Sequence, residues 1–339
     1  MRVVEIRGAF GLDDLVQALV VTERPDPRPG FGQVLLRLRA ASLNYRDLLT
    51  VQGKYNPKQK LPLIPCSDGA GEVVEVGEGV DRVRPGDRVC PIFAQRWIAG
   101  QPTREKARST LGGPLDGTLA ELMVLDQEGL VKVPEHLTDE EAAALPCAAL
   151  TAWSALIEAG VEAGHTVLVQ GTGGVSLFAL QLARLLGARV IVTSSRDDKL
   201  RRALDLGASD GVNYRATPEW GARVKEITGG EGVDLVVEVG GAGTLEQSFR
   251  AVRFGGTITL IGNLAGLDAQ VKLSLIFMQR IRVLGIFVGH RESFEAMNRA
   301  IALHRMRPVI DQVFPLEQSR AAFERMAAGD HFGKICVRL

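Results

Sequence analysis

The run Thr166-Val167-Leu168-Val169-Gln170 leads into Gly171-Thr172-Gly173-Gly174-Val175-Ser176 and then into an apolar stretch of helical spacing that ends at Gly187. An uncharged, Val-rich run of this length reads as a strand buried on both faces, which requires helices above and below it. The turn constrains the chain further. Its first glycine permits a tight reversal and its second lets backbone approach a ligand. The following helix offers free N–H groups and a partial positive charge. Set between strand and helix, such a turn cradles a pyrophosphate. Ser176 stands where a third glycine would serve close helix–strand packing, a mild departure because serine is small. A glycine turn in an α/β fold need not hold a ligand. Here, however, a second strand, Arg189-Val190-Ile191-Val192-Thr193, follows about 20 residues on, as a dinucleotide fold requires.

The end of that second strand bears on which dinucleotide is bound. NAD sites place Asp or Glu there for the ribose hydroxyls, whereas NADP sites omit the acid and supply hydroxyls and cations for the 2′-phosphate. The chain reads Thr193-Ser194-Ser195-Arg196, then Asp197-Asp198-Lys199. Ser195, Arg196 and Lys199 suit a phosphate, so NADPH is expected in preference to NADH. The competing reading is a helix start in which Asp197 or Asp198 caps and the cations are merely solvated.

At 339 residues the chain exceeds the size at which one core stops growing, roughly 250–300 residues, so two domains are expected. Residues 33–41 (QVLLRLRAA) alternate apolar and charged at period two, and 71–76 (GEVVEV) form another strand-like run. Residues 81–89 place Pro85-Gly86 between two short runs, a hairpin-like signal. Short strands with dense Gly and Pro predict an antiparallel sheet or partly open barrel. Near residue 138 the character changes. Thr138 with Asp139, Glu140 and Glu141 reads as a helix start, and that helix is expected to stop before Pro146. A second helix spans 150–159. Helices over 175–186 and 198–206 then alternate with strands over 166–170, 189–193, 233–239 and 257–261, the pattern of a parallel, doubly wound sheet. A helix over 292–303 and a closing strand over 333–338 are too few for a domain of their own. The expected division is therefore 1–150 with 287–339, and 151–286.

Lys+Arg and Asp+Glu balance at 40 each, so net charge gives no general reason to bind nucleic acid or an anionic membrane. No stretch approaches the roughly 18 apolar residues of a membrane span. The opening MRVVEIRGAF lacks the apolar core of a leader, and Cys66, Cys90, Cys147 and Cys336 are scattered, with no CxxC pair. Free thiols in a reducing compartment, and hence a cytoplasmic protein, are expected.

Taken together the motifs resemble the medium-chain dehydrogenase/reductase superfamily, and within it the zinc-free quinone oxidoreductase and alcohol dehydrogenase-like branch. The matching segments are Ser42-Leu43-Asn44-Tyr45-Arg46-Asp47, Gly69-Ala70-Gly71-Glu72-Val73-Val74 and Arg84-Pro85-Gly86-Asp87-Arg88-Val89. Residues 142–151 (AAALPCAALT), the glycine turn, Gly207-Ala208 and Gly333-Lys334-Ile335 complete the set. The resemblance implies an α/β protein with a GroES-like, partly open β-barrel catalytic domain and a Rossmann domain. It also implies a small-molecule substrate, and homodimers through the Rossmann sheet edge near residues 272–285. Further cofactor contacts implied are Asn44, Thr151, Thr172, Gly174, Val175, Tyr214, Gly240, Asn263, Phe287 and Lys334. Zinc-dependent relatives hold the metal with a Cys, a His-Glu pair and a later Cys. The corresponding positions here are Asn44, Ser67-Asp68 and Cys147, which is not the three-ligand set of a catalytic zinc, so no metal is expected.

Without a metal, another group must stabilise developing negative oxygen. A quinone or enone spreads that charge by conjugation, so a hydrogen-bond donor suffices, whereas a simple aldehyde needs stronger polarisation. The candidate donors are Asn44, Tyr45, Tyr55 and Ser67. Asn44 also reads as an N-cap, with Asp47 part of the same cap. Phe93 and Trp97 are candidate substrate walls or core. The leading expectation is an NADPH-dependent reductase of conjugated carbonyls. An alcohol or aldehyde dehydrogenase and a catalytically idle dinucleotide-binding structural protein are the alternatives.

Overall fold

In a computed structural model, residues 1–7 and 18–339 are described; Gly8, Ala9 and Phe10 of the N-terminal stretch lie outside them. The chain forms two compact units, Met1–Leu150 with Gly289–Leu339, and Thr151–Val288.

The second unit is built on a six-stranded parallel sheet. Its strands are β8 (Thr166–Gln170), β9 (Arg189–Ser194), β10 (Asp210–Asn213), β11 (Val233–Glu238), β12 (Val252–Leu260) and β13 (Arg282–Gly285). The spatial order is β10-β9-β8-β11-β12-β13, so the direction of winding reverses between β8 and β11. Leu168, Ile191, Val236 and Ile258 project into one core with Trp220, Val224 and Phe249 from the covering helices. Helix Gly174–Leu185 follows the glycine turn and ends at Leu186 before Gly187, whose φ of +81° suits a residue without Cβ. Strand β10 was not expected. Asp-Gly-Val-Asn carries no apolar run, and it becomes a strand because β9 offers it a parallel edge, Asp210 to Asn213 against Ile191 to Ser194. Within 272–285, helix Leu273–Met278 buries none of its residues and β13 forms the edge of the sheet.

The first unit draws on both chain ends. Its strands are β1 (Arg2–Ile6), β2 (Leu19–Glu23), β3 (Gln33–Ser42), β4 (Asp68–Val76), β5 (Arg88–Pro91), β6 (Leu122–Asp126), β7 (Leu130–Lys132), β14 (Ile310–Pro315) and β15 (Lys334–Arg338). β1 and β2 pair as a hairpin-like ribbon. The main sheet runs β14-β15-β3-β4-β5-β7, with β6 also on β3. β15 lies antiparallel on β3, Cys336 opposite Ser42, which places the last strand in the sheet begun by residue 33. β14 and β15 are parallel and joined through helix Ser319–Ala327, as a parallel pair needs a crossover.

Two expectations are corrected. Residues before Pro85 form no strand; β5 pairs with β4, and Gly86 N–H donates to Val73 O. Helix Asp139–Ala143 does not end the helical path at Pro146. Leu145–Ala149 makes a π-helical turn that leads into helix Leu150–Ala159, with Pro146 in its first turn, where a missing N–H costs nothing. No helix among the described residues is long and apolar enough to cross a membrane.

Candidate active site

A parallel sheet puts all its carboxyl ends on one side, and ligands gather there at the point where strand order reverses. The turn that leaves β8 has Gly171 at φ +72°, a left-handed conformation that favours glycine. At Gly171 and at Gly173 an added Cβ meets no protein atom within 4 Å. Gly173 occupies the N-cap of helix Gly174–Leu185 with extended backbone and offers no capping side chain. The helix therefore starts with free N–H groups facing open space, and a pyrophosphate fits that cradle. Thr172 is buried beside it, and the Ser176 hydroxyl donates to Gln170 O at 2.6 Å, which ties the helix to its strand.

Residues expected around a dinucleotide follow the same row of strand ends. Gly171 to Val175 follow β8, Ser195 and Arg196 follow β9, and Tyr214 follows β10. Gly240, Asn263 and Phe287 follow β11, β12 and β13. Ser194 Oγ accepts the Arg196 N–H at 3.3 Å, and Tyr214 N–H donates to Ser194 O at 3.0 Å, so the ends of β9 and β10 are joined. The Arg196 guanidinium grips Asp198 through two bonds of 2.9 and 2.8 Å, and the hydrogen-bonded guanidinium holds that carboxyl below its ordinary range. Asp197 accepts from Asn213 Nδ2 at 2.7 Å. Lys199 is a buried residue of helix Asp197–Asp205, and Thr151 is buried at the start of its own helix, so neither stands on the row of strand ends.

In the first unit the segments around Asn44, Ser67 and Lys334 meet in a buried polar cluster. Asn44 is 8% exposed, Lys334 3%, and Asp47, Ser67 and Asp68 are fully enclosed. The Lys334 ammonium donates to Leu43 O and to Asn44 Oδ1, both at 2.6 Å. That bond fixes which way the amide faces: Oδ1 toward the cation, Nδ2 toward Ser67 Oγ at 3.4 Å. Ser67 Oγ in turn donates to Asp68 Oδ1 at 2.7 Å, and Cys147 N–H donates to Asp68 Oδ2 at 3.0 Å. The cap of helix Tyr45–Val51 is made by Asp47, which accepts the Asn44 N–H at 2.8 Å.

Arg46 also lies inside. Its guanidinium donates to Leu111 O and Gly113 O at 2.8 and 3.1 Å and sits 4.9 Å from the Tyr55 ring centroid and 5.0 Å from that of Phe93. Tyr45 and Tyr55 are about half exposed. Phe93 and Trp97 are buried, with Trp97 Nε1 donating to Gly100 O, so both belong to the core rather than to a substrate wall.

The donor set does not match a catalytic zinc. Lys334 holds Asn44 Oδ1, Ser67 and Cys147 N–H fill the two Asp68 oxygens, and burial with nearby Asp68 pushes the Cys147 thiol far up. Among these side chains the Lys334 ammonium and the Arg46 guanidinium supply positive charge beside the carboxylates.

Burial is the main force on Asp47 and raises its carboxyl from 3.8 to about 6, against the pull of Arg46 and with the push of Asp68; Lys334 lowers it slightly. The unfolded chain releases this proton near its ordinary value and the folded chain near pH 6. Folded protein therefore binds more protons between those values, and Asp47 costs stability as pH rises. Relative to Asp47→Asn, which does not titrate, the parent should lose about 2 kcal/mol between pH 4 and pH 7. Urea unfolding of both proteins across that range checks it; a difference independent of pH would contradict the burial argument.

Glu238 and Gln170, which bridge the two central strand ends, were not anticipated; the acid closing the apolar run Leu235 to Val237 was the available signal. The Lys334 ammonium, expected at the cofactor, is engaged with Leu43 O and Asn44 Oδ1.

Residues 30–135 match the family described as alcohol dehydrogenase GroES-like domain, and residues 174–302 match the family described as zinc-binding dehydrogenase. The chain is 42% identical to a zinc-type alcohol dehydrogenase-like protein of Schizosaccharomyces pombe, over 91% of each chain. It is 31% identical to an acryloyl-coenzyme A reductase of Metallosphaera sedula, over 95% of this chain and 96% of the other. A solved structure of a putative alcohol dehydrogenase from Sinorhizobium meliloti superposes with a TM-score of 0.92 at 39% identity, covering 100% of this chain and 99% of the other.

Proposed function

The chain belongs to the medium-chain dehydrogenase/reductase superfamily and is an NAD(P)H-dependent oxidoreductase, and we propose that it reduces a quinone, enone or related conjugated carbonyl with NADPH and without zinc. The observation that carries this reading is the bond from Lys334 Nζ to Asn44 Oδ1. With its oxygen held by a cation, the amide can only present N–H toward a ligand. Its Nδ2 faces Ser67 and also hydrogen-bonds the Asp68 carboxyl, and a bound carbonyl oxygen would draw one of these hydrogens to itself. Ser67 spends its own proton on Asp68, so the chain of donors has a single direction, from Lys334 through Asn44 and Ser67 to Asp68. A neutral N–H suits a conjugated acceptor, whose developing charge is already spread, and suits a simple ketone poorly. The acryloyl-coenzyme A reductase of Metallosphaera sedula, by its name, acts on a conjugated carbonyl, which supports this substrate class.

The bound dinucleotide supplies the hydride. The protein supplies the glycine turn for the pyrophosphate and the Asn44 amide for the oxygen that becomes negative. NADPH is favoured because β9 ends at Ser194 and is followed by Ser195 and Arg196, with no acid at the strand end. An alcohol dehydrogenase remains the second reading, supported by the names of the fission-yeast and Sinorhizobium relatives. Initial rates with NADPH or NADH against 9,10-phenanthrenequinone, a simple enone and secondary alcohols separate the two. Turnover of the conjugated acceptors with NADPH is expected; reversible alcohol oxidation with no quinone or enone turnover would sink the proposal.

A homodimer through the edge of the parallel sheet is part of the same proposal. Beside edge strand β13, helix Leu273–Met278 leaves Leu273, Phe277 and Met278 about two-thirds exposed, a patch that water does not favour. Sedimentation velocity should show a dimer, shifted toward monomer by Phe277→Glu; a monomeric parent would refute this part.

A further inference from the structure

Glu238, the last residue of β11, is wholly buried and accepts five hydrogen bonds. Oε1 receives the N–H groups of Gly240 and Gly241 at 2.8 and 2.9 Å and the Thr244 hydroxyl at 2.6 Å. Oε2 receives Gln170 Nε2 at 2.7 Å and the Ser248 hydroxyl. A buried carboxylate is tolerated when its lone pairs are filled in this way. Gln170 is the last residue of β8 and stands directly before Gly171. Its amide oxygen accepts Val239 and Gly240 N–H, both at 3.3 Å, and its backbone oxygen holds Ser176. The Gln170–Glu238 pair thus spans the two strand ends between which the sheet reverses its winding, and each partner holds one of the two turns that leave them.

We propose that Glu238 is a positioning residue that sets the separation between the Gly171–Gly174 turn and the Gly240–Gly241 turn, and thereby lets the site take a whole dinucleotide rather than its adenosine half alone. A dinucleotide lies across this crevice, its adenosine half on the β8–β9 side and its nicotinamide half on the β11–β12 side. Replacing the carboxylate by an amide puts an N–H₂ against donors. Gln170 relieves the clash by turning its own amide over, and its oxygen then leaves Val239 and Gly240. The second turn is released while the first keeps its φ and its helix. Nicotinamide affinity falls and adenosine affinity does not.

The test is titration calorimetry of full-length parent and Glu238→Gln with NADPH, NADH and ADP, together with KM and kcat. The Kd and KM for the preferred dinucleotide should rise tenfold or more, with kcat and the Kd for ADP within threefold of the parent. The exchanged pair Gln170→Glu/Glu238→Gln, which restores a carboxylate facing an amide, should recover dinucleotide affinity to within threefold. Thr244→Val, which removes one donor and leaves the charge, should show the same split at smaller size and serves if Glu238→Gln does not fold. Unchanged dinucleotide affinity, an equal loss for ADP, or an exchanged pair no better than the single variant would overturn the proposal.

Discussion

Gly173→Val should abolish nicotinamide dinucleotide binding while leaving a folded protein. The backbone at Gly173 has φ −77°, which valine adopts, and a Cβ there meets no protein atom within 4 Å. The substitution therefore creates no internal clash. It fills the space in front of the free N–H groups at the start of helix Gly174–Leu185, where a pyrophosphate has to approach. Valine is a poor N-cap, but glycine already offers no side chain there, so the cost to the helix is below about 1 kcal/mol. Dissociation constants for NADPH and NADH should rise roughly 100-fold or more, the loss of several backbone–phosphate bonds together. Tryptophan-to-nicotinamide energy transfer measures the binding and circular dichroism the fold. Undiminished binding would place the dinucleotide elsewhere.

Lys334→Met should carry the largest stability penalty in the first unit. The methionine keeps much of the stem's volume but removes the ammonium. Burial already raises the Asp68 carboxyl above its ordinary range; without Lys334 it loses the nearby cation that opposes the rise, and Leu43 O and Asn44 Oδ1 lose their donor. Removing one member of a buried ion cluster costs about 3–5 kcal/mol. For a unit of this size that corresponds to a fall in Tm of about 10 °C. Adding Asp68→Asn to Lys334→Met should recover part of the loss, since the orphaned charge goes with it. Scanning calorimetry of the three variants checks both statements. A Tm within a degree or two of the parent would show that Lys334 is not the counter-charge the geometry makes it.

The same two positions explain what was legible from sequence. The strand, the glycine turn and the helix after it are consecutive residues, and local chemistry decides each. Asn263 was readable for a related reason, because a parallel sheet brings its carboxyl ends to one side whatever its strand order; Tyr214, Gly240 and Phe287 came only from the family resemblance. The order itself was not readable, and with it went the significance of Gln170 and Glu238, 68 residues apart, which matter because β8 and β11 are neighbours. The Asn44–Lys334 bond joins residues 290 apart. Nothing in Gly333-Lys334-Ile335 says that the lysine points inward, since long cations are ordinarily exposed. β10 escaped notice because its pairing comes from β9 rather than from its own composition, and Pro146 misled because a proline at the start of a helical turn looks in sequence like a proline that ends one.

Hydride transfer to a conjugated carbonyl is proposed to proceed beside the buried cations Lys334 and Arg46 and without a metal. The most direct test is elemental analysis of the purified protein alongside NADPH oxidation with 9,10-phenanthrenequinone and a simple enone, before and after dialysis against EDTA. Turnover that survives chelation, with zinc far below one atom per chain, is the predicted result. Turnover lost to EDTA and restored by zinc, at one zinc per chain, would contradict it.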